Sequence, residues 1–86
     1  MTYTVEVRPR ALRQLASLPK GAKTSIARAI EALAVVPRPP RAVQLKGTSF
    51  YRVRVRDYRI IYEVKDDVLL VLVVRVAHRR DVYRGL

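Results

Sequence analysis

The sequence predicts an α+β domain in which one N-terminal strand and a helical hairpin precede a three-strand antiparallel meander. Apolar residues alternate with polar ones near the N-terminus and again in the C-terminal half, whereas between these regions they recur at helical spacing. The chain has 86 residues, of which 50% are hydrophobic. That content supports one modest core, so we expect a single domain over residues 1–86.

The first strand and the helical hairpin are marked by alternation and by two prolines. Tyr3, Val5 and Val7 alternate with polar residues, which is the period of a half-buried strand. Pro9 favours the start of a short helix, and Pro19 ends it. A second, amphipathic helix should follow, because apolar residues recur there at spacings of three and four. These residues are Ile26, Ala27, Ile30, Leu33 and Ala34.

The meander begins after a proline-rich linker at residues 37–40, where a helix cannot continue. Two alternating segments, residues 51–55 and 58–64, should form strands joined by a turn near Arg56 and Asp57. A second turn at residues 65–67 leads into the apolar run Val68–Val74. That run is far shorter than the roughly 20 residues of a transmembrane helix, so it predicts a buried strand and no membrane association.

The composition is strongly basic, with 18 Lys and Arg against 7 Asp and Glu, a net charge of +11 and a pI near 11.1. Nucleic acid, an anionic membrane surface or an acidic protein could each supply the missing negative charge. The sequence has no cysteine, which excludes disulfides and thiolate metal clusters and fits a reducing cytoplasm. Residues 1–10 lack the apolar segment of a secretory signal, so a cytoplasmic protein is expected.

Several arginines in the C-terminal half should share one face of the sheet. Arg52, Arg54 and Arg56 alternate along one strand, and Arg59 of the next strand can join them. The segment after the last strand could bring three further residues to the same end of the sheet: His78, Arg79 and Tyr83. Such a cluster suits RNA, with guanidinium groups for phosphates and an aromatic ring for base stacking.

Each of these residues also has an ordinary structural interpretation. Exposed strands often carry basic residues that discourage edge pairing, and Arg59 could be held by Glu63 on the same face. His78 is the single histidine and makes a poor metal site, so it is either a proton shuttle or an ordinary surface residue. Tyr83 lies outside the regular strands and is therefore a better functional candidate than the tyrosines within them.

The chain contains no glycine-rich phosphate loop, no paired carboxylates at catalytic spacing and no nucleophile with an evident base. A metal-dependent nuclease would need such carboxylates to hold Mg²⁺, so no metal and no cofactor are expected. If the protein cleaves RNA, the simplest route is attack of the 2′-hydroxyl on its own phosphate. The protein would then supply positive charge and proton transfer.

Four short motifs stand out in the chain: LKG at residues 45–47, YRVRV at 51–55, DYRIIY at 57–62 and HRRDVY at 78–83. Together they closely resemble the RelE branch of the RelE/ParE toxin superfamily. The order of strand, helical hairpin and meander also resembles the small α+β fold of that family, over the whole chain. The resemblance implies a toxin of a type II toxin–antitoxin pair that cuts messenger RNA in the ribosomal A site.

The resemblance also implies roles for individual residues. Arg52 and Arg54 fall where RelE-type toxins carry basic residues that stabilise the transition state, and Arg59 matches the arginine that holds the scissile phosphate. Arg79 matches a second phosphate contact or leaving-group stabiliser, and Tyr83 matches the tyrosine that stacks on a base and assists proton transfer. His78 competes with Tyr83 as general base. The residues expected to bind RNA are Lys46, Arg52, Arg54, Arg56 and Arg80.

The partners implied by the resemblance are a cognate antitoxin, the 70S ribosome and messenger RNA. The antitoxin should cover the basic face with acidic residues and an amphipathic helix, and the toxin–antitoxin complex is expected to bind operator DNA through the antitoxin. The same fold hosts ParE-like toxins that inhibit DNA gyrase without cutting RNA, which is the alternative function. A degenerate toxin retained as a binding module is a third possibility.

Overall fold

A computed structural model describes residues 2–83 and confirms the α+β prediction. The chain runs through strand β1 (Thr4–Val7), helix α1 (Pro9–Ala16), helix α2 (Lys20–Ala32), strand β2 (Val43–Gln44), strand β3 (Phe50–Val55), strand β4 (Tyr58–Lys65), a 3₁₀ turn (Asp66–Val68) and strand β5 (Leu70–His78). Strand β2 was not predicted, because a two-residue strand is too short to show alternation.

The strands form one five-stranded sheet in the order β1-β5-β4-β3-β2. Strands β3, β4 and β5 are the predicted antiparallel meander, and β2 pairs antiparallel with β3. Strand β1 runs parallel to β5, from the pair Thr4 and Leu70 to the pair Val7 and Val73. The sheet is therefore mixed, and its first and last strands in sequence are neighbours.

The helical hairpin forms as the prolines predict. Pro9 is the first residue of α1, and Pro19 adopts an extended backbone directly before α2. The buried residues of α2 are Ala22, Ile26 and Ile30, spaced by four, so one side of this helix faces the core. No helix among residues 2–83 is long and apolar enough to cross a membrane.

The main core lies between the helices and one face of the sheet, which we call the helix-side face. It is built from aliphatic residues and one tyrosine: Ala11, Ile26, Ile30, Leu33, Val53, Ile60, Tyr62, Val71, Val73 and Val76. The Tyr62 hydroxyl donates to the carbonyl of Pro37 at 2.8 Å, which ties the proline-rich linker to the sheet. Burial raises the pKa of Tyr62 to about 12. No helix among the described residues covers the other side of the sheet, which we call the open face.

A β-bulge in β5 decides which of its residues face the helices. Tyr62 pairs with Val73 and Ile61 pairs with Arg75, so Val74 is an extra residue in β5. The bulge reverses the alternation beyond it. As a result, Val76 joins Val73 in the core, whereas Arg75 shares the open face with Ile61. Strand β1 does not reach this part of β5; there, the Val76 amide donates to Oε1 of Gln14 in α1 at 2.9 Å.

Candidate functional site

Three arginines lie side by side on the open face, and we call them the arginine row: Arg52, Arg54 and Arg59. Arg54 of β3 pairs directly with Arg59 of β4, so their side chains project from the same face. Arg52 lies two residues before Arg54 and pairs with Ile61, which places it on the same face. The predicted clustering of these three residues is therefore confirmed.

The arginine row has no acidic partner within residues 2–83. Nε of Arg59 is buried and has no hydrogen-bond partner. Nε of Arg54 donates to the backbone carbonyl of Arg56 at 3.2 Å. Glu63, the partner that the sequence suggested for Arg59, instead accepts a hydrogen bond from the Ser49 hydroxyl. The charge of the row is thus available to an external anion.

Residues after β5 bring a tyrosine to the arginine row. They turn back at residues 78–82, where the amides of Asp81 and Val82 donate to the His78 carbonyl at 2.8 and 3.1 Å. Nη1 of Arg52 then donates to the Tyr83 hydroxyl at 2.9 Å, while 39% of Tyr83 stays exposed. A phenol held against a guanidinium, with its ring accessible, can both stack on a base and exchange a proton.

The other basic candidates lie outside the arginine row. The amide of Arg79 donates to the Asp57 carbonyl at 2.8 Å, which holds the exposed Arg79 at the end of the sheet where Arg54 and Arg59 lie. Arg80 is exposed in the turn, and Lys46 is exposed in the loop between β2 and β3. All three side chains are therefore accessible from solvent.

Two predicted site residues do not join the arginine row. His78 pairs with Tyr58, which places it on the helix-side face, and its ring meets the Tyr58 ring edge-on at 5.8 Å between centroids. The bulge in β5 is the cause, since without it His78 would project from the open face. Arg56 occupies the β3–β4 turn with φ of 56°. Its side chain reaches helix α2, where its Nη1 lies 3.7 Å from the point that a Cβ atom on Gly21 would occupy. It does not extend the row.

A fourth arginine is fully engaged at another place, in a group that we call the Arg38 cluster: Tyr3, Arg38, Tyr51 and Asp66. Nη1 and Nη2 of Arg38 donate to the two Asp66 oxygens at 3.1 and 2.8 Å. Nε of Arg38 donates to the Tyr51 hydroxyl at 3.0 Å, and the Tyr3 hydroxyl donates to Asp66 at 2.6 Å. The bonds from Arg38, then from Tyr3, lower the pKa of Asp66 to about 2.

Arg75 lies beside this site, and the sequence analysis did not single it out. It is the buried charged residue among residues 2–83, with 6% of its surface exposed, and its Nη1 donates to the carbonyl of Val82. Its signal in the sequence is a single cation within the apolar segment Leu70–Ala77. Arg59 likewise interrupts an apolar and aromatic segment, Tyr58–Tyr62.

The fold agrees with the results of comparison with known proteins. A family model described as the ParE toxin of type II toxin–antitoxin systems, parDE, matches residues 5–83. The chain belongs to the RelE/ParE superfamily of toxins from type II toxin–antitoxin systems. The resemblance predicted from the four short motifs is thereby confirmed.

The individual relatives are RelE toxins. A curated relative named toxin RelE1, from Methanocaldococcus jannaschii, is 30% identical over 89 residues and covers 99% of both chains. The archaeal RelE–RelB complex from Pyrococcus horikoshii OT3 matches with 29% identity and a TM-score of 0.82, over 92% of this chain and 97% of that one. The RelBE2 toxin–antitoxin complex from Mycobacterium tuberculosis matches with 26% identity and a TM-score of 0.78, over 92% and 100%. Within the superfamily, this chain is a toxin of the RelE family.

Proposed function

We propose that this toxin is an endoribonuclease that cuts messenger RNA in the ribosomal A site and so stops translation. The observation that carries the proposal is an arginine row without an acidic partner in residues 2–83, above all the buried Nε of Arg59, which finds no acceptor there. A buried donor without a partner is destabilising, so proteins rarely keep one unless a ligand satisfies it. A phosphate has the charge and the oxygens that would satisfy this group.

The reaction can proceed by transfer within the RNA itself. The 2′-oxygen forms a bond to the adjacent phosphorus while the bond from phosphorus to the 5′-oxygen breaks. The proton of the 2′-hydroxyl passes to a base and the 5′-oxygen receives a proton, so the products are a 2′,3′-cyclic phosphate and a 5′-hydroxyl. Negative charge increases on the phosphoryl oxygens in the transition state, where guanidinium groups stabilise it most.

The described residues suggest a division of labour in this reaction. Arg59 and Arg54, paired across two strands, would hold the scissile phosphate, and Arg79 at the end of the sheet would stabilise the leaving oxygen. Tyr83 is the better candidate for the base, since its hydroxyl meets Arg52 on the open face whereas His78 projects to the other side. Arginine stays protonated at any accessible pH, so it supplies charge and not proton transfer.

The proposal extends to partners that fit the charge and the family. The net charge of +11 favours binding to the ribosome and its messenger RNA, which implies a cytoplasmic site of action. The RelE from Pyrococcus horikoshii forms a complex with RelB. By analogy, a cognate antitoxin should cover the arginine row here, and the pair should bind operator DNA through the antitoxin.

Translation in vitro, followed by primer extension on the message, tests the proposal. The wild type should produce cuts only when ribosomes occupy the message, and Tyr83→Phe or Arg79→Ala should weaken them about 100-fold or more. His78→Ala should cut nearly as well as the wild type. Arg28→Met removes an exposed arginine of α2 and controls for loss of charge alone. A wild-type protein that makes no ribosome-dependent cuts would refute the nuclease proposal.

The family model favours one rival function, because its description is that of ParE toxins. A toxin of that type would inhibit DNA gyrase and leave messenger RNA intact. The same protein preparation should therefore be added to a gyrase supercoiling assay. Inhibited supercoiling without RNA cuts would establish the rival, and RNA cuts without an effect on gyrase would exclude it.

A further inference from the structure

Arg75 lies beneath the segment that carries Tyr83. It pairs across the sheet with Ile61, which in turn pairs with Arg52, so one line across the open face joins Arg52, Ile61 and Arg75. Ile61 is fully buried although it lies outside the helix-side core. The segment after β5 reaches this line at Arg75, whose Nη1 donates to the Val82 carbonyl.

Two structural features fix the position of Arg75. The extra residue Val74 immediately precedes it and directs its side chain to the open face. Directly after it, the amide of Val76 donates to Oε1 of Gln14 at 2.9 Å, which anchors this part of β5 to helix α1. The backbone of Arg75 is therefore held from both sides, and its guanidinium has a defined reach.

That guanidinium holds the chain one residue before Tyr83. Nη1 of Arg75 donates to the carbonyl of Val82 at 3.4 Å, a long hydrogen bond to a residue that is itself fully buried. Tyr83 follows directly, and its hydroxyl accepts from Nη1 of Arg52 at 2.9 Å. One arginine thus fixes the backbone before the tyrosine, while the other fixes the end of its side chain.

Burying the charge of Arg75 costs free energy of folding, which indicates that the guanidinium has a specific role. Burial, together with the nearby charge of Arg10, lowers the pKa of Arg75. A methionine of similar length could fill the same space without that cost. The guanidinium differs from methionine in its ability to donate hydrogen bonds to the turn.

We propose that Arg75 is a positioning residue that holds the turn at residues 78–82 so that Tyr83 stays against the arginine row. The consequence for catalysis rests on the proposed nuclease function, whereas the positioning itself does not. Arg75 acts through Tyr83 and need not touch the RNA. Its removal should therefore impair the chemical step more than binding of the ribosome.

A kinetic test compares Arg75→Met with Arg28→Met by varying the toxin concentration in excess over the ribosome complexes and measuring the cleavage rate. Arg75→Met should lower the maximal cleavage rate about tenfold and leave the half-saturating toxin concentration within about twofold. In the double variant Arg75→Met/Tyr83→Phe, the rate should equal that of Tyr83→Phe alone, because both changes remove the same contribution. Independent, multiplying losses would contradict action through Tyr83.

The deciding measurement does not need nuclease activity. The chain has no tryptophan, so Tyr83→Trp introduces a single tryptophan at this position, whose fluorescence can be excited selectively over that of the tyrosines. In that background, Arg75→Met should raise the acrylamide quenching constant about twofold, whereas Arg28→Met should leave it unchanged. Arg75→Gln, a shorter neutral side chain, should act like Arg75→Met and replaces it if that variant does not fold. Circular dichroism identifies the folded samples.

Each result of the quenching measurement decides the matter. A raised constant in a folded Arg75 variant supports positioning, even if the wild type proves unable to cut RNA, in which case only the nuclease proposal falls. Constants equal to that of Arg28→Met would overturn the positioning role. If neither Arg75 variant folds, Arg75 serves the fold as a whole and the positioning role is likewise overturned.

Discussion

The Arg38 cluster and the arginine row use the same side chain in opposite ways. Arg38 donates hydrogen bonds within the protein, to both carboxylate oxygens of Asp66 and to the Tyr51 hydroxyl. Arg59 keeps a buried Nε without any acceptor in residues 2–83, and its cross-strand neighbour is another arginine. Like charges directly opposite each other in a sheet are destabilising. The row is thus less favourable for folding than the cluster.

The Arg38 cluster and the arginine row therefore differ in the partners of their arginines and not in the number of basic residues around them. Residues 1–49 hold nine Lys and Arg with two acids, and residues 50–86 hold nine with five. The second half therefore has the lower net charge but contains the row. Arg38 forms hydrogen bonds within the protein, whereas under the proposed function the row binds a phosphate of the RNA.

The largest expected effect comes from breaking the row at its centre. Arg59→Met should reduce ribosome-dependent cleavage about 100-fold, because a guanidinium that stabilises the transition state is lost. The free energy of unfolding should stay the same or rise by up to about 1 kcal/mol, since a buried donor without a partner disappears. Cleavage rates and urea denaturation measure the two quantities. A variant that loses activity because it is less stable would contradict the assigned role.

The second effect separates the two regions by their response to salt. Affinity for RNA falls as salt rises, so the slope of log affinity against log salt is negative. For binding to a single-stranded RNA, Arg54→Met should reduce the magnitude of this slope by about 0.7, the value for one phosphate contact. Arg38→Met should leave the slope unchanged, because Asp66 already neutralises that charge. Fluorescence titrations at several salt concentrations provide the slopes. Equal changes of the slope in Arg54→Met and Arg38→Met would contradict the proposed difference between the arginine row and the Arg38 cluster.

A third, moderate effect concerns stability. Arg38→Met should lower the melting temperature by a few degrees, because the hydrogen bonds to Asp66 and Tyr51 are lost at a largely solvent-exposed position. Cleavage by the folded protein should remain at the wild-type level. Thermal melts and the cleavage assay check these expectations. A large loss of cleavage in the folded variant would show that the Arg38 cluster takes part in function.

The smallest effect is a change in acid stability. The pKa of Asp66 falls from its ordinary 3.8 to about 2 in the folded protein, so its contribution to stability is complete above pH 3.8. That contribution declines as the pH falls from 3.8 towards 2 and the carboxylate takes up its proton. Asp66→Asn should be less stable at neutral pH but lose less stability over this range. Denaturation curves of the wild type and of Asp66→Asn across the acid range measure this difference. If the two proteins lose the same free energy of unfolding between pH 3.8 and 2, Asp66 does not have this role.

Much of the fold could be predicted because it depends on local patterns. Alternation over residues 51–64 gave two strands and the face on which Arg52, Arg54 and Arg59 lie. Pro9 marks the start of the first helix, which ends at Ala16, before Pro19, and Pro19 directly precedes the second helix. These features follow from backbone geometry and from the period of apolar residues, which a single sequence contains.

Other features depended on contacts that no local pattern contains. The extra residue Val74 reverses the alternation in β5, so counting along the strand puts His78 and Arg75 on the wrong faces. The bond between Arg38 and Asp66 joins residues that are 28 positions apart, and the bond between Arg52 and Tyr83 joins residues 31 apart. Long-range contacts of this kind become visible only in three dimensions.

The parallel pairing of β1 with β5 also limits the order in which the sheet can form during synthesis. Thr4 is made early, yet its partner Leu70 is made 66 residues later. The nascent chain must therefore wait for β5 before β1 can join the sheet, and the turn that carries Tyr83 comes later still. The hydrogen bond between Arg52 and Tyr83 is thus among the last contacts that the described residues can make.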